Sequence, residues 1–426
     1  MKIAISAAGS RGDIQPMAGL AAALAGRGHD VRLICEPRFA DLVEGRGVEH
    51  RPASGDAKAE LEQARELFEK GDDPLTAART MRDVARRNAR TGVPELVRHV
   101  SDTDLLVTSG PTALFGLSVA ERLNLPAVQA YLQPVVPTRA FPSPLAPLTA
   151  MPSWTNFAQH WVGAHVYWHF FRSVVNESRR DLGLEPWPVQ GPFARMRRER
   201  RPVLLAHSRH VLPSPPDWDE AIHVTGYWFL DRPAGWRPPA ELERFIAAGP
   251  PPVYIGFGSM ILGDAQAASA MVAEAVRQAG CRAVVSAGWG GLKPAPSASV
   301  FPIDCAPHDW LFPRMAAVVH HGGAGTTAAA LRAGKPSFVT PFIADQFFWS
   351  WRLEKCGVAP SAVRQEKLTV EDLARGLERV LGDGAMRARA TRLGEMIRQE
   401  DGVGVAAEVI EAAARAEAAL PRKLAV

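Results

Sequence analysis

His320-His-Gly-Gly-Ala-Gly-Thr-Thr327 lies between an apolar run, Met315-Ala-Ala-Val-Val319, and Ala328-Ala-Ala-Leu-Arg-Ala333. The first run reads as a buried strand and the second as a helix. Glycines at a strand-to-helix turn bring the backbone close to a ligand. The helix start adds free N–H groups and the positive end of a dipole. Thr326, Thr327 and His321 add side-chain donors, so the turn reads as a seat for a diphosphate. A turn that only joins two elements is the alternative on the glycines alone.

The residues downstream favour the seat. Gly334-Lys-Pro336 stops the helix, Ser337-Phe-Val-Thr-Pro341 begins as a strand, and Asp345 and Gln346 follow. A carboxylate and an amide past the end of the next strand can accept and donate to sugar hydroxyls. Capping of the following helix is the other reading of Asp345.

Two parallel series run along the chain. Lys2-Ile-Ala-Ile-Ser6, a helix over 16–27 and Val31-Arg-Leu-Ile-Cys35 form a βαβ unit. Asp104-Leu-Leu-Val-Thr-Ser109, a helix over 113–123 and Pro126-Ala-Val-Gln129 extend it, while 57–100 is charged and helix-favouring. Residues 134–152 are proline-rich and read as loop. A second series starts at Val253-Tyr-Ile-Gly-Phe-Gly-Ser259 and continues through 265–278, 283–286 and 300–303 to 318–320. The expected organisation is α/β with two Rossmann-like domains facing across a cleft. The first spans 1–215, a linker 216–240, the second 241–400, and a C-terminal stretch 401–426 contains an alanine-rich helix over 402–419.

His308-Asp-Trp-Leu-Phe-Pro313, the His320–Thr327 turn and Pro341-Phe-Ile-Ala-Asp-Gln346 together resemble the donor signature of family-one inverting glycosyltransferases. Gly9-Ser-Arg-Gly-Asp-Ile-Gln-Pro16 resembles the opening loop of the sterol 3-β-glucosyltransferases and of natural-product enzymes of the vancomycin group. The resemblance implies the GT-B fold, with the last helix packed back on the first domain. It implies transfer of a hexose from a UDP- or dTDP-sugar to a hydroxyl of a lipophilic acceptor, with no cofactor and no metal. Asp13 becomes the general base, and its alternative is a helix cap. Ser10, Arg11, Gly12, Gly258, Ser259, Ala306, His308, His321, Gly323, Gly325, Thr326, Asp345 and Gln346 become donor-binding residues. Structural readings stand beside several of these: a turn for Ser10, a salt bridge for Arg11, an ST-turn for Ser259. His320 reads as structural. Many plant members stack a tryptophan on the base where this chain has Cys305, and Trp310 reads as pocket-shaping or core. The middle of the first domain lines the acceptor site in the family, which assigns Trp154, Phe157 and Trp161 to acceptor binding. The same aromatics also suit core packing or contact with a membrane surface.

Bulk properties narrow the partners. In 426 residues, 49 basic and 45 acidic side chains leave a formal charge of +4, too small an excess to argue for nucleic acid. Arg195-Met-Arg-Arg-Glu-Arg-Arg201 reads as solvated surface. Four scattered cysteines form no zinc or disulfide pattern and fit the cytoplasm. No signal peptide and no apolar run of spanning length is apparent. Asp102-Thr-Asp104 and Asp217-Trp-Asp219 precede strands, the wrong end for a metal-held diphosphate. His165 and His169 share a helix face without a carboxylate partner. A nucleotide-sugar epimerase of the same fold and a non-catalytic partner protein remain as alternatives, while a dehydrogenase lacks its glycine pattern.

Overall fold

The computed structural model describes residues 1–60, 62–63, 74–145, 149, 151–260 and 263–418. Parts of three expected segments lie outside them: 61 and 64–73 of the helix-favouring stretch, 146–148 and 150 of the proline-rich loop, and 419–426 at the end.

Twelve strands form two sheets among the described residues. They are β1 Lys2–Ser6, β2 Asp30–Cys35, β3 Val48–Pro52, β4 Leu105–Ser109, β5 Ala127–Tyr131, β6 Val203–Leu205, β7 Ile222–Val224, β8 Val253–Gly256, β9 Ala283–Ser286, β10 Val300–Ile303, β11 Val318–His320 and β12 Ser337–Val339. The first sheet runs β3-β2-β1-β4-β5-β6-β7 and the second β10-β9-β8-β11-β12. Every pairing is parallel. The helices are α1 Arg11–Gly26, α2 Pro74–Val100, α3 Ala113–Leu123, α4 Asn156–Asp181, α5 Phe193–Glu199, α6 Ala240–Ala247, α7 Ala265–Gln278, α8 His308–Leu311, α9 Ala324–Arg332, α10 Gln346–Lys355, α11 Val370–Gly382, α12 Gly384–Arg398 and α13 Gly402–Ala418.

Alternation along each strand feeds two cores, one on each face. Ile3 and Ile5 of β1 join Leu105 and Val107 of β4 under α1, while Ala4 and Leu106 face α3 and α4 on the other side. In the second sheet Val253 and Ile255 pack with Val272 and Val276 of α7, and Tyr254 packs with Leu311 and Phe312. Both sheets are therefore doubly wound.

Three expectations are corrected. Helix α1 begins at Arg11, not near Pro16, so Asp13 sits in its first turn rather than in a loop. Pro16 lies inside this helix and has no N–H to donate to the Gly12 carbonyl one turn back. Strand β7 belongs to the first sheet but falls within 216–240, so the first unit extends past the expected linker start.

Helix α13 returns to the first unit. Its Ala406, Ala407 and Ile410 are fully buried in the same cluster as Leu20 and Leu24 of α1. Glu411 accepts from Arg27 at 2.7 and 3.0 Å and pairs with His29 at 2.9 Å. The outgoing and returning chains touch: a Cβ on Gly402 would stand 2.3 Å from the Tyr227 carbonyl oxygen. A shared apolar cluster joins Phe141, Val211 and Tyr227 of the first unit to Leu331, Phe348 and Trp349 of the second.

Ile410→Ala empties a fully buried site in this return. We expect a loss of about 2–5 kcal/mol, the usual range for such a truncation, seen as a lower midpoint in thermal or denaturant unfolding. An unchanged midpoint would mean that α13 contributes nothing to the first unit's stability.

Candidate active site

In a doubly wound sheet, ligands bind past the carboxyl ends of the strands where the order reverses. The first reversal falls between β1 and β4, the second between β8 and β11. The two face each other across one cleft of about 1590 Å³, lined from both units. The starts of α1 and α9 meet there, since a Cβ on Gly325 would lie 3.5 Å from the Gly12 carbonyl oxygen.

Asp13 lines the cleft. Its Oδ2 accepts from the Ser10 N–H at 2.8 Å and from the Ser10 hydroxyl at 3.0 Å. Ser10 is the N-cap of α1, so one carboxylate oxygen ties the helix start. For Oδ1 the structure gives no hydrogen-bond partner among the described residues. Gly9 makes this arrangement possible: its φ is +125°, and a Cβ there would sit 2.5 Å from Oδ2. Desolvation raises the Asp13 pKa above the ordinary carboxylate value, against the lowering effect of the Ser10 bonds. Arg11 also lines the cleft, where it bonds Gln15 at 3.1 Å and stands 4.0 Å from Asp41.

Across the cleft, His321 is held between two glycines. A Cβ on Gly258 would lie 2.8 Å from its ring and one on Gly323 2.4 Å from Nε2. Its Nδ1 is buried without a partner. Burial pushes its pKa down to about 4, so the ring is neutral near pH 7 and carries one N–H. His320 is fully buried and accepts from the Gly322 N–H at 3.0 Å, away from the cleft. Gly323, Gly325 and Thr326 line the cleft at the start of α9. Thr327 is buried and does not line it, which corrects its reading as a second hydroxyl donor. Ser259 lines the cleft too, and α7 is capped by Asp264 instead.

Asp345 occupies the N-cap position of α10 but makes no capping bond there. Its Oδ2 accepts from Gln133 of the first unit at 3.1 Å, bridging the cleft. Desolvation raises its pKa to about 6; Gln133 opposes this and the nearby Asp13 adds to it. Gln346 spends its amide oxygen on the Phe342 and Ile343 N–H groups at 2.8 and 3.2 Å. At the other end, Ala306 and His308 line the cleft, with the His308 ring stacked on Phe312 at 4.1 Å. Trp310 is in the core, 5.4 Å from the cleft-lining Trp236.

Gln133, Trp236 and Trp289 are among the lining residues that the sequence did not single out. Gln133 and Trp289 follow the carboxyl ends of β5 and β9, and that position was the available signal. Trp154, Phe157 and Trp161 do not line the cleft; they lie exposed on and before α4. Both Asp-x-Asp pairs stand before β4 and β7 and are engaged with Arg32, Lys2, Thr138 and the Arg139 and Ala221 N–H groups. Among the described residues no cluster of three or more His, Cys, Asp or Glu suits a metal ion. No helix among them is long and apolar enough to cross a membrane.

Two Rossmann-like units with facing switch points define the GT-B class of protein. Residues 3–142 match the glycosyltransferase family 28 N-terminal domain, and 293–412 the erythromycin biosynthesis protein CIII-like C-terminal domain. A sterol 3-beta-glucosyltransferase of Arabidopsis thaliana is 33% identical over 99% of this chain and 69% of its own length. Another, from Emericella nidulans, is 35% identical over 96% of this chain but 30% of its own, so the chain spans under a third of such fungal relatives. The fold is also that of the glycosyltransferase VinC in complex with dTDP, with a TM-score of 0.64 at 18% identity over 97% of this chain and all of that one. The chain belongs to the glycosyltransferase family that includes the sterol 3-beta-glucosyltransferases.

The raised pKa of Asp345 predicts a pH-dependent cost. A carboxyl that binds its proton more tightly when folded contributes stability that is full below its unfolded pKa, near 3.8, and lost as pH rises through about 6. The gap corresponds to at most roughly 3 kcal/mol. Asp345→Asn keeps an acceptor for Gln133 without the charge. The ligand-free variant should melt higher than wild type at pH 7.5, with the gain shrinking towards pH 4. A gain equal at both values would remove burial of the charge as the cause.

Proposed function

We propose that the chain transfers a hexose from a UDP- or dTDP-sugar to a hydroxyl of a lipophilic small molecule, with inversion at the anomeric carbon. The observation that carries the reading is the unpartnered Oδ1 of Asp13 on one wall of the cleft, opposite the His321 ring and the start of α9 on the other. A base and an anion seat then flank one reacting centre. Sterol glucosyltransferase relatives favour a lipophilic acceptor, and VinC with dTDP favours a nucleotide diphosphate in the cleft.

In this mechanism Asp13 Oδ1 takes the proton of the acceptor hydroxyl. The oxygen attacks the anomeric carbon from the face opposite the nucleotide, and the bond to the phosphate oxygen breaks with its electron pair. The leaving diphosphate meets the free N–H groups of α9, the Thr326 hydroxyl and the neutral His321. Asp345 and Gln346 hold sugar hydroxyls, Ser259 contacts the diphosphate, and the backbone around Ala306 and His308 receives the base. These protein donors carry the developing charge, so the reading requires neither metal nor cofactor. The free cysteines suit a reducing compartment, and we place the protein in the cytoplasm. An epimerase would need further acid–base groups around the sugar; release of nucleotide diphosphate only when an alcohol is supplied separates it from a transferase.

His321→Ala removes one donor to the leaving group. Turnover should fall about a hundredfold, the scale of roughly 3 kcal/mol for one such donor. Wild-type turnover with unchanged nucleotide affinity in the variant would refute this role.

Asp13→Asn retains an oxygen for Ser10 but cannot accept a proton. Transfer to an alcohol should fall by about two to four orders of magnitude, the usual contribution of a positioned base. An acidic phenol, already ionised near neutral pH, should lose far less, and nucleotide binding should stay nearly unchanged. Equal, small losses for both acceptors would leave Asp13 as a helix-capping residue only.

A further inference from the structure

Helix α4 starts inside out. In its first turns the buried positions are Asn156, Gln159 and His160, while Trp154, Phe157, Trp161, Val162 and Val166 face outward. The exposures are large: 82% for Trp154, 54% for Trp161 and 64% for Val166. Each inward residue makes a hydrogen bond, although His160 Nδ1 stays buried without a partner among the described residues. Asn156 donates to the Arg139 carbonyl at 3.0 Å, Gln159 to the Thr155 hydroxyl at 2.9 Å, and His160 pairs with the Phe141 carbonyl at 3.2 Å. This end of α4 is therefore locked with its apolar side out. Leu145 and Met151 are exposed on the approach to it, so among the described residues seven of the eleven exposed large hydrophobics fall between positions 145 and 166. Apolar surface gathered in this way marks an interaction site.

Charge selects the partner. Between Glu121 and Glu177 the chain has no Asp or Glu. Basic groups rim the patch. Arg82 lies over the Phe170 ring at 5.5 Å, and Arg139 over Phe157 at 6.0 Å. His165 stacks on Trp161 at 3.9 Å and touches Phe193, which brings the exposed Arg197 and Arg198 of α5 alongside. The acidic groups nearest the rim are engaged: Glu177 with Arg86 and Arg90, Glu199 with Arg195 and Arg201, and Asp217 with Thr138 and the Arg139 N–H. Tryptophans with a cationic rim suit the boundary between lipid headgroups and acyl chains.

We propose that this face of α4 docks the protein onto an anionic membrane surface, with Trp154 and Trp161 seated among the headgroups. The inference stands on the surface of the first unit and not on the transfer reaction. The chain that leaves the cleft at Gln133 reaches the patch at Leu145, which packs near Gly163 of α4.

The test is co-sedimentation of the whole chain with vesicles of phosphatidylcholine alone, or with about a third phosphatidylserine. Wild type should pellet with the anionic vesicles, about tenfold less with the neutral ones, and less as salt rises. Val162→Glu with Val166→Glu places two acids on the exposed face and should weaken binding at least about tenfold. Val405→Glu, at an exposed position on α13, should not. Stabilisation by UDP or dTDP shows that each variant is folded. Wild type that stays in the supernatant with anionic vesicles overturns the proposal, and so does a double variant that binds like wild type. A lipid-free dimer that the double variant turns into monomer would also overturn it, by making the patch a contact between copies. Failure of the transfer reading would appear in nucleotide release and leave vesicle binding untouched.

Discussion

Everything in this site depends on how closely the starts of α1 and α9 approach. Each helix follows the reversal point of its own sheet, and they meet with the Gly12 carbonyl beside Gly325. A Cβ on Gly325 would already reach van der Waals contact with Gly12, which leaves little space there for a larger side chain. The shared cluster around Phe141, Phe348 and Trp349 and the return of α13 hold the approach in place. The unpaired N–H groups of two helix starts then converge on one cleft, a field that favours an anion before any side chain is counted.

The same closeness makes the site costly when empty. His320 and His321 are buried and His308 is half-buried, desolvation lowers the pKa of all three, and it raises both carboxylates. A buried ring nitrogen of His321 lacks a partner, and Asp345 is answered by a single amide from the opposite unit. Groups left short of partners in a free protein are poised to gain them from a ligand. The glycines at 9, 258 and 323 maintain this state by leaving space that a methyl group would occupy.

The strands with continuous apolar runs were legible because burial on both faces demands such runs. β3, Val48-Glu-His-Arg-Pro52, was not, since an edge strand can carry charge. β6 and β7 are three residues long, and β7 sits among prolines that read as linker. The glycine-rich turn and Asp13 were legible as a motif, yet the motif could not reveal that Asp13 belongs to a helix containing Pro16. Gln133 was hidden because its partner, Asp345, lies 212 positions away. The aromatic segment before and along α4 misled for a physical reason: spacing shows that residues share a face but not whether that face points in or out.

The chain passes between the two units twice, and the crossings lie against each other, with Gly402 beside the carbonyl of Tyr227. Two attachments at one place act mechanically like a door hung on a single narrow hinge. The units can swing about that line to open or narrow the cleft, but twisting or sliding would shear the crossings apart. A swing about that line is the one relative motion that leaves both crossings intact, and it returns the starts of α1 and α9 to the same register.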